Sequence, residues 1–324
     1  MIKLLRCFFI MTFFIMIVMS CKKKQAITNH EIISTPVSTK INKSFWLNGN
    51  VGFICGGEKG SVGYIYKTID GGKSWINNYS VNASLYDILF VNDFIGYCCG
   101  ENMMVLKTID AGVNWLPFTK SNNSDNFYYG TLYSMMNLQN KVWFFGGKNF
   151  NIGFVICTQG NLMKDGFNGF SNEMRCGIPI DSNKFMACGY GLCYKTIDNS
   201  NTFSPYDLGN DYFTSYSYVN KSLGFLSGFN GGVFKINPET NESSQIFKPK
   251  KKLQKQFHFN SVYFESENNG WVVGNDGAFA KTNDSKTFEI LNLNTTSNLL
   301  SVVSNKNSQL IISTEKGQLI RVSN

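Results

Sequence analysis

Arginine is almost missing from this chain of 324 residues: only Arg6, Arg175 and Arg321 occur. Histidine is scarcer still, with His30 and His258. Charged residues make up 16%, prolines number six, and no Cys-x-x-Cys pair is present. Each shortage excludes something. Two histidines without paired thiolates leave too few ligands for a zinc centre, so no metal and no cofactor is expected. Low charge combined with 15% aromatic residues excludes a disordered chain. No apolar stretch has a helical period, which removes bundles and doubly wound folds. The net charge of +8 is mild and falls on scattered lysines, which is weak support for a nucleic-acid partner, and none is expected.

The longest apolar run, Cys7 to Met19, is broken only by Thr12. As a helix it would be about 20 Å long, short of a bilayer core of about 30 Å. Behind Lys3 and Arg6 it fits a signal peptide over residues 1–20. Val18-Met19-Ser20-Cys21 resembles the bacterial lipoprotein cleavage box, although that family prefers leucine where Val18 stands. The resemblance implies a lipid on Cys21 and export to the bacterial envelope, the outer membrane or cell surface before the inner membrane. Losing Lys3 and Arg6 lowers the net charge from +8 to +6. Residues 21–40 open with Lys22-Lys23-Lys24 and continue polar, as a tether would.

Beyond the tether one phrase recurs. It reads Lys67-Thr68-Ile69-Asp70-Gly71-Gly72-Lys73-Ser74-Trp75, then Lys107-Thr108-Ile109-Asp110-Ala111-Gly112-Val113-Asn114-Trp115. It returns at Lys195-Thr196-Ile197-Asp198, ending at Phe203, and fades at Lys281-Thr282-Asn283-Asp284, ending at Phe288. Around it runs a strand grammar. Alternating runs such as Ser84–Phe90 precede a second run bounded by glycines, such as Gly96–Gly100 or Gly270–Gly274. A third run ends at Lys-Thr, and the aromatic of the phrase starts a fourth. Equivalent third strands end near Thr68, Thr108, Thr158, Thr196, Ile236, Thr282 and Arg321. Seven units of about 40 residues predict an all-β, seven-bladed β-propeller of four-stranded antiparallel blades over 41–324. The blades fall at about 41–80, 82–120, 130–172, 173–207, 213–248, 257–293 and 298–324. Units three and five lack the Asp phrase. The last unit stops after its third strand, so part of residues 26–36, for example Ala26-Ile27-Thr28, is expected to supply the fourth strand and close the ring.

Seven cysteines remain after Cys7 and Cys21. An odd number cannot be a complete internal disulfide framework. Cys55, Cys99 and Cys188 each stand before a glycine in equivalent positions and read as small buried residues filling one slot.

The pattern Ser/Thr-x-Asp-x-Gly-x-Ser/Thr-Trp resembles the Asp-box, or BNR repeat. Four copies related by a ring cannot meet at one site, so Asp70, Asp110, Asp198 and Asp284 read as turn staples. The carboxylate would take backbone N–H groups of its own turn. Gly72 and Gly112 would allow positive φ, and Trp75 and Trp115 would pack between units. Asp70→Ala is therefore expected to cost stability. In propellers of this family the Asp turns lie opposite the ligand face.

Among Asp-box families, sialidases grip a carboxylate with three arginines, and Arg175 with Arg321 cannot do so. Glycosidases need two facing carboxylates, and Asp87, Asp125 and Asp211 are not paired by the sequence. Over 41–324 the chain resembles the photosystem II assembly and stability factor family. The residues that carry the likeness are Gly270-Trp271-Val272-Val273-Gly274 with Gly277, and Lys67 to Trp75. That family presents an arginine patch to its client, which this chain lacks. The photosystem client is therefore not supported, and what the resemblance implies is a non-catalytic scaffold for a protein or peptide; a monomer is expected. The alternative is a propeller that binds surface glycans or hydrolyses them weakly.

The expected binding face comprises loops between second and third strands and links between units. It includes Lys59, Tyr128, Tyr129, Tyr190, Tyr212, Phe229 and Asp276. The lysine run Lys248 to Lys255 reads as a solvated loop.

Overall fold

The computed structural model describes residues 29–118, 130–160, 162–208, 211–248 and 258–323. The expected signal peptide, Cys21, Ala26-Ile27-Thr28, Tyr128, Tyr129, Asp125 and most of the 248–255 lysine run lie outside the described residues.

Seven four-stranded antiparallel sheets form, each joining strands that follow one another in sequence, except the last. The innermost strands, in ring order, are Ile41–Trp46, Leu85–Phe90, Thr131–Leu138, Met174–Asp181, Phe213–Asn220, Phe259–Phe264 and Leu299–Ser304. The seventh blade takes its outer strand, His30–Ile33, from the amino-terminal side, where it pairs with Leu319–Ser323. The ring is thus closed as expected, by residues inside the 26–36 window. Closure removes the free edge that Leu319–Ser323 would otherwise expose.

The second strands explain the repeated Gly-aromatic-apolar-apolar-Gly run. Gly52–Gly57, Gly96–Gly100, Leu223–Gly228 and Gly270–Gly274 are buried at every residue. A blade is covered on both faces by its neighbours, so an interior strand has no solvent face. The terminal glycine has a packing reason. At Gly100 a Cβ would meet the Ser84 carbonyl oxygen at 2.1 Å, and at Gly274 the His258 carbonyl oxygen at 1.9 Å. Only glycine lets the chain entering each blade pass so closely.

The core is correspondingly divided. Seven apolar clusters each lie between two adjacent blades, from Phe53 with Phe90 and Trp115 between the first and second to Ile311 with Trp46 and Ile33 between the seventh and first. Phe225 of the fifth blade stacks on Phe264 of the sixth at 3.5 Å between centroids. Cys55 and Cys99 are buried and form no disulfide. Cys188 departs from the slot-filling expectation: it is bonded to Cys193, its direct cross-strand partner. Residues opposite each other in an antiparallel pair bring their Cβ atoms within disulfide reach, which a count of cysteines does not show. Among the described residues no helix is long and apolar enough to cross a membrane.

Candidate functional site

Each blade runs down along its inner strand, up along the second and down along the third, so the Asp phrases lie at one end of the blades. Their chemistry is local. The Thr68 hydroxyl donates to Asp70 Oδ1 at 2.8 Å and accepts from Gly72 N at 2.8 Å. Ser74 donates its N–H to Oδ1 at 2.9 Å and its hydroxyl to Oδ2 at 2.5 Å. Thr108, Asp110, Gly112 and Asn114 repeat the pattern at 2.7–2.9 Å. Thr196, Asp198 and Thr202 do so as well, with Ser200 in the glycine's place. In the shorter fourth copy, Lys286 and Thr287 supply the donors to Asp284, beside Thr282. These bonds to the charged form hold all four carboxyls below their ordinary range. The Ser74 hydroxyl acts first on Asp70, and the Asn114 N–H first on Asp110, which falls to about 2. The second corner also grips the preceding blade: Lys67 Nζ donates to the Ala111 carbonyl at 2.8 Å, and Asn78 Nδ2 to that of Gly112 at 2.9 Å. Trp115 packs between blades against Phe53 and Phe90, Trp75 meets Trp46 edge-on, and Phe203 and Phe288 fill the same position on Phe185 and Phe247.

The opposite end of the ring is built by a different device. In every blade the pairing of the inner with the second strand slips by one residue near its start. The unpaired residues are Asn42, Tyr86, Tyr133, Arg175, Thr214, Asn260 and Leu300. A bulge re-aims one side chain out of the alternation, and seven bulges at one level aim seven side chains inward. All seven line a recess of about 320 Å³ at the channel mouth, together with Tyr190, Tyr212 and Phe229. Beneath it a narrower space of about 170 Å³ is bordered by Lys43, Asp87, Ser134, Cys176, Ser215, Ser261 and Ser301.

Leu300 aside, the bulge ring has two unlike halves. Asn42, Thr214 and Asn260 are small, and each donates to the carbonyl just before the next blade's bulge: Leu85 at 2.7 Å, Phe259 at 2.9 Å and Leu299 at 2.9 Å. They tie the ring shut. Tyr86, Tyr133 and Arg175 form the other half. The two tyrosine rings meet edge-on at 5.5 Å, and the Arg175 guanidinium lies 3.6 Å above the Tyr133 ring. Buried Glu173 fixes this half. It accepts from Arg175 Nη2 at 2.7 Å, from the Tyr133 hydroxyl at 3.2 Å and from Phe150 N at 3.2 Å. Burial pushes the Tyr133 phenol up to about 12, against the pull of Arg175. It therefore stays a neutral donor at physiological pH.

Aromatic side chains continue this half outward. Tyr190 lies 4.7 Å from Tyr212 and 5.3 Å from exposed Phe150, and Phe229 stacks on His258 at 3.9 Å. Tyr190, Tyr212 and Phe229, named from the sequence, therefore come together at the mouth. Lys59 lies on the same face, exposed and outside the recess, and Asp276 sits in the sixth blade's loop, its N–H on Asn298 Oδ1 at 2.9 Å. Sequence reasoning passed over Tyr86, Tyr133, Arg175 and Glu173. Each stands next to an apolar residue at the start of an inner strand, as in Leu85-Tyr86 and Met174-Arg175, where the sequence reads as ordinary alternation.

The carboxylates here are also committed. Asp87 is buried and takes Met135 N at 2.7 Å and Ile88 N at 3.0 Å. Asp211 takes Tyr212 N at 2.7 Å, Asn230 N at 2.8 Å and Gly232 N at 3.2 Å. Burial raises both carboxyls above their ordinary range, with Lys43 opposing it at Asp87 and the backbone donors opposing it at Asp211. Among the described residues no group of three His, Cys, Asp or Glu could hold a metal ion.

No family model and no curated protein matches the chain. Solved structures do. One described as YCF48 bound to D1 peptide superposes with a TM-score of 0.72 at 17% identity, covering 93% of this chain and 100% of the other. YCF48 from Cyanidioschyzon merolae gives 0.69 at 14% identity, covering 91% and 99%. The WD40 propeller domain of Doa1 gives 0.71 at 10% identity, covering 93% and 97%. At these identities the likeness establishes the fold alone: the chain is a seven-bladed propeller similar in architecture to the YCF48 and Doa1 propellers.

Proposed function

We propose that this chain is a non-catalytic propeller that binds a protein or peptide partner across its channel mouth, held at the bacterial envelope by a lipid on Cys21. The observation that carries the reading is the presented half of the bulge ring. Tyr86, Tyr133 and Arg175 continue into Tyr190, Tyr212, Phe150 and Phe229 as one aromatic arc around a preformed recess. Tyr and Arg anchors around a recess are what protein interfaces use as hot spots. The commitment of Asp87 and Asp211 to backbone donors supports a binding role over hydrolysis. The YCF48 structure, with its D1 peptide, supports a propeller of this shape holding a peptide. The repeat's likeness to the Asp-box and the cleavage box at Cys21 support an exported protein of that type.

The test places a photo-crosslinking amino acid at Tyr212 in the native envelope and identifies adducts by mass spectrometry. Peptide adducts that vanish when Tyr133→Ala and Arg175→Ala are added are the expected result. Glycan adducts, or glycan hydrolysis abolished by Asp87→Asn, would replace the reading with the carbohydrate one.

A further inference from the structure

The repeated phrase contains a residue that the corner does not use. Ile69, Ile109 and Ile197 follow the buried threonine, yet they are 59%, 69% and 65% exposed. The hydrogen bonds of the corner run through Thr68 and Asp70 and leave the intervening isoleucine pointing into solvent. On the first two blades these residues are not isolated. Ala111 N–H donates to the Phe94 carbonyl at 2.9 Å, which sets Phe94, 63% exposed, beside the second corner. Val113 lies in that corner, and Ile76 and Leu116 begin the outer strands leaving the two corners; all three are exposed. Apolar exposure concentrated on one face calls for an occupant.

The chain itself indicates which. Arg321 pairs with Glu31 as Lys67 pairs with Ile76 in the first blade. Asn29 therefore stands where Ser74 ends the first corner, and its carbonyl accepts from Ser323 N at 3.2 Å. The Arg321 guanidinium reaches the Gly71 carbonyl of the first corner and meets Glu31 at 2.9 Å. The amino-terminal segment thus enters the ring on the corner face, in the seventh blade, next to the blades that carry the apolar patch. Cys21 is eight residues before Asn29. At about 3.3–3.6 Å per residue, a lipid there lies within about 30 Å of this entry point.

We infer that the corner face of the first two blades, Ile69, Phe94, Ile109 and Val113 foremost, lies against a phospholipid bilayer, with the channel mouth turned away from it. The inference rests on the lipid anchor proposed above only for its orientation argument. A group of apolar side chains entering the headgroup boundary adds affinity in proportion to the apolar area it buries. Exposed Lys73 of the first corner and exposed Asp93 beside Phe94 carry opposite charges, so the attraction of this face rests on its apolar side chains.

The test uses the mature full chain with a benzophenone amino acid in place of Phe94, Ile109 or Phe229. It is mixed with vesicles of phosphatidylethanolamine and phosphatidylglycerol, irradiated and analysed by mass, and Cys21 acylation is scored on the same sample. Lipid adducts at 94 and 109, absent at 229, are expected. Phe94→Asp combined with Ile109→Asp, both at exposed positions, should lower vesicle binding of the non-acylated chain roughly ten- to hundredfold. Acylated Cys21 without adducts at 94 and 109 overturns the docking face and spares the anchor. Adducts on a chain with unmodified Cys21 remove the anchor and keep the face. Unmodified Cys21 with no adducts overturns both.

Discussion

The two ends of this ring use the same side chain under opposite conditions. At the corner end, Asp70, Asp110, Asp198 and Asp284 sit near solvent, each with donors from its own turn. Hydrogen bonding wins there and the carboxyls stay ionised to low pH. At the mouth end, Asp87 and Asp211 also take backbone donors, but burial outweighs them and the carboxyls are raised. Donor count alone does not decide the state of a carboxylate; solvent access around the same donors does. The corner end is a set of self-contained turns, whereas the mouth is assembled from all seven blades.

The largest effect should come from the one blade built from segments far apart in the sequence. Deleting residues 22–36 removes His30–Ile33, exposes the Leu319–Ser323 edge and uncovers the cluster around Ile33 and Trp46. The expected loss is about 5 kcal/mol or more, read as a fall in Tm of roughly 10 °C or more. An unchanged Tm would show that the ring does not need this closure.

A smaller loss is expected within one corner. Gly112 has φ near +74°, and a Cβ there would meet the Phe53 ring at 2.4 Å. Gly112→Ala should cost roughly 2–3 kcal/mol by denaturant titration, through both strain and overpacking. Thr108→Val should cost about 1–2 kcal/mol, because the buried hydroxyl serves Asp110 and Gly112 at once. A Gly112→Ala protein as stable as wild type would mean that the corner is not locked to the first blade.

The smallest and most diagnostic effect is a pair of pH slopes. Asp110 has a folded pKa below its unfolded value of about 4, so its contribution is present above that value and fades as pH falls toward about 2. Asp87 has a raised folded pKa, so protonation favours the native state. Its contribution is full below about pH 4 and lost as pH rises through the folded value. The stability difference between wild type and Asp110→Asn should therefore shrink on acidification, while that between wild type and Asp87→Asn should move in wild type's favour. Slopes of the same sign would remove the contrast between the two ends.

Much of the fold was legible because its signals are local. Thr68 to Ser74 spans seven residues that bond to one another, so the corner can be read as a word. The glycine-bounded second strand is equally local, since burial on both faces writes a continuous apolar run. The mouth was legible only in part. Tyr190, Tyr212 and Phe229 stood out as aromatics beside Gly, Asn and Asp in loops. Tyr86, Tyr133 and Arg175 did not, because at their positions in an inner strand they fit the ordinary alternation. The pairing of Cys188 with Cys193 was hidden for the same reason: it depends on strand register, which the intervening turn sets.

The sequence by itself determined the unit, the number of units and the need for a borrowed outer strand. Each of these rests on contacts between residues a few positions apart, or on an arithmetic remainder in the repeat. The tertiary structure decided which side chains leave the strand alternation and where they meet. A bulge is a property of pairing between two strands, and a ring of seven is a property of all the blades together. The closing of the recess by Asn42, Thr214 and Asn260, and its opening by Tyr86, Tyr133 and Arg175, therefore appear only once the propeller is complete.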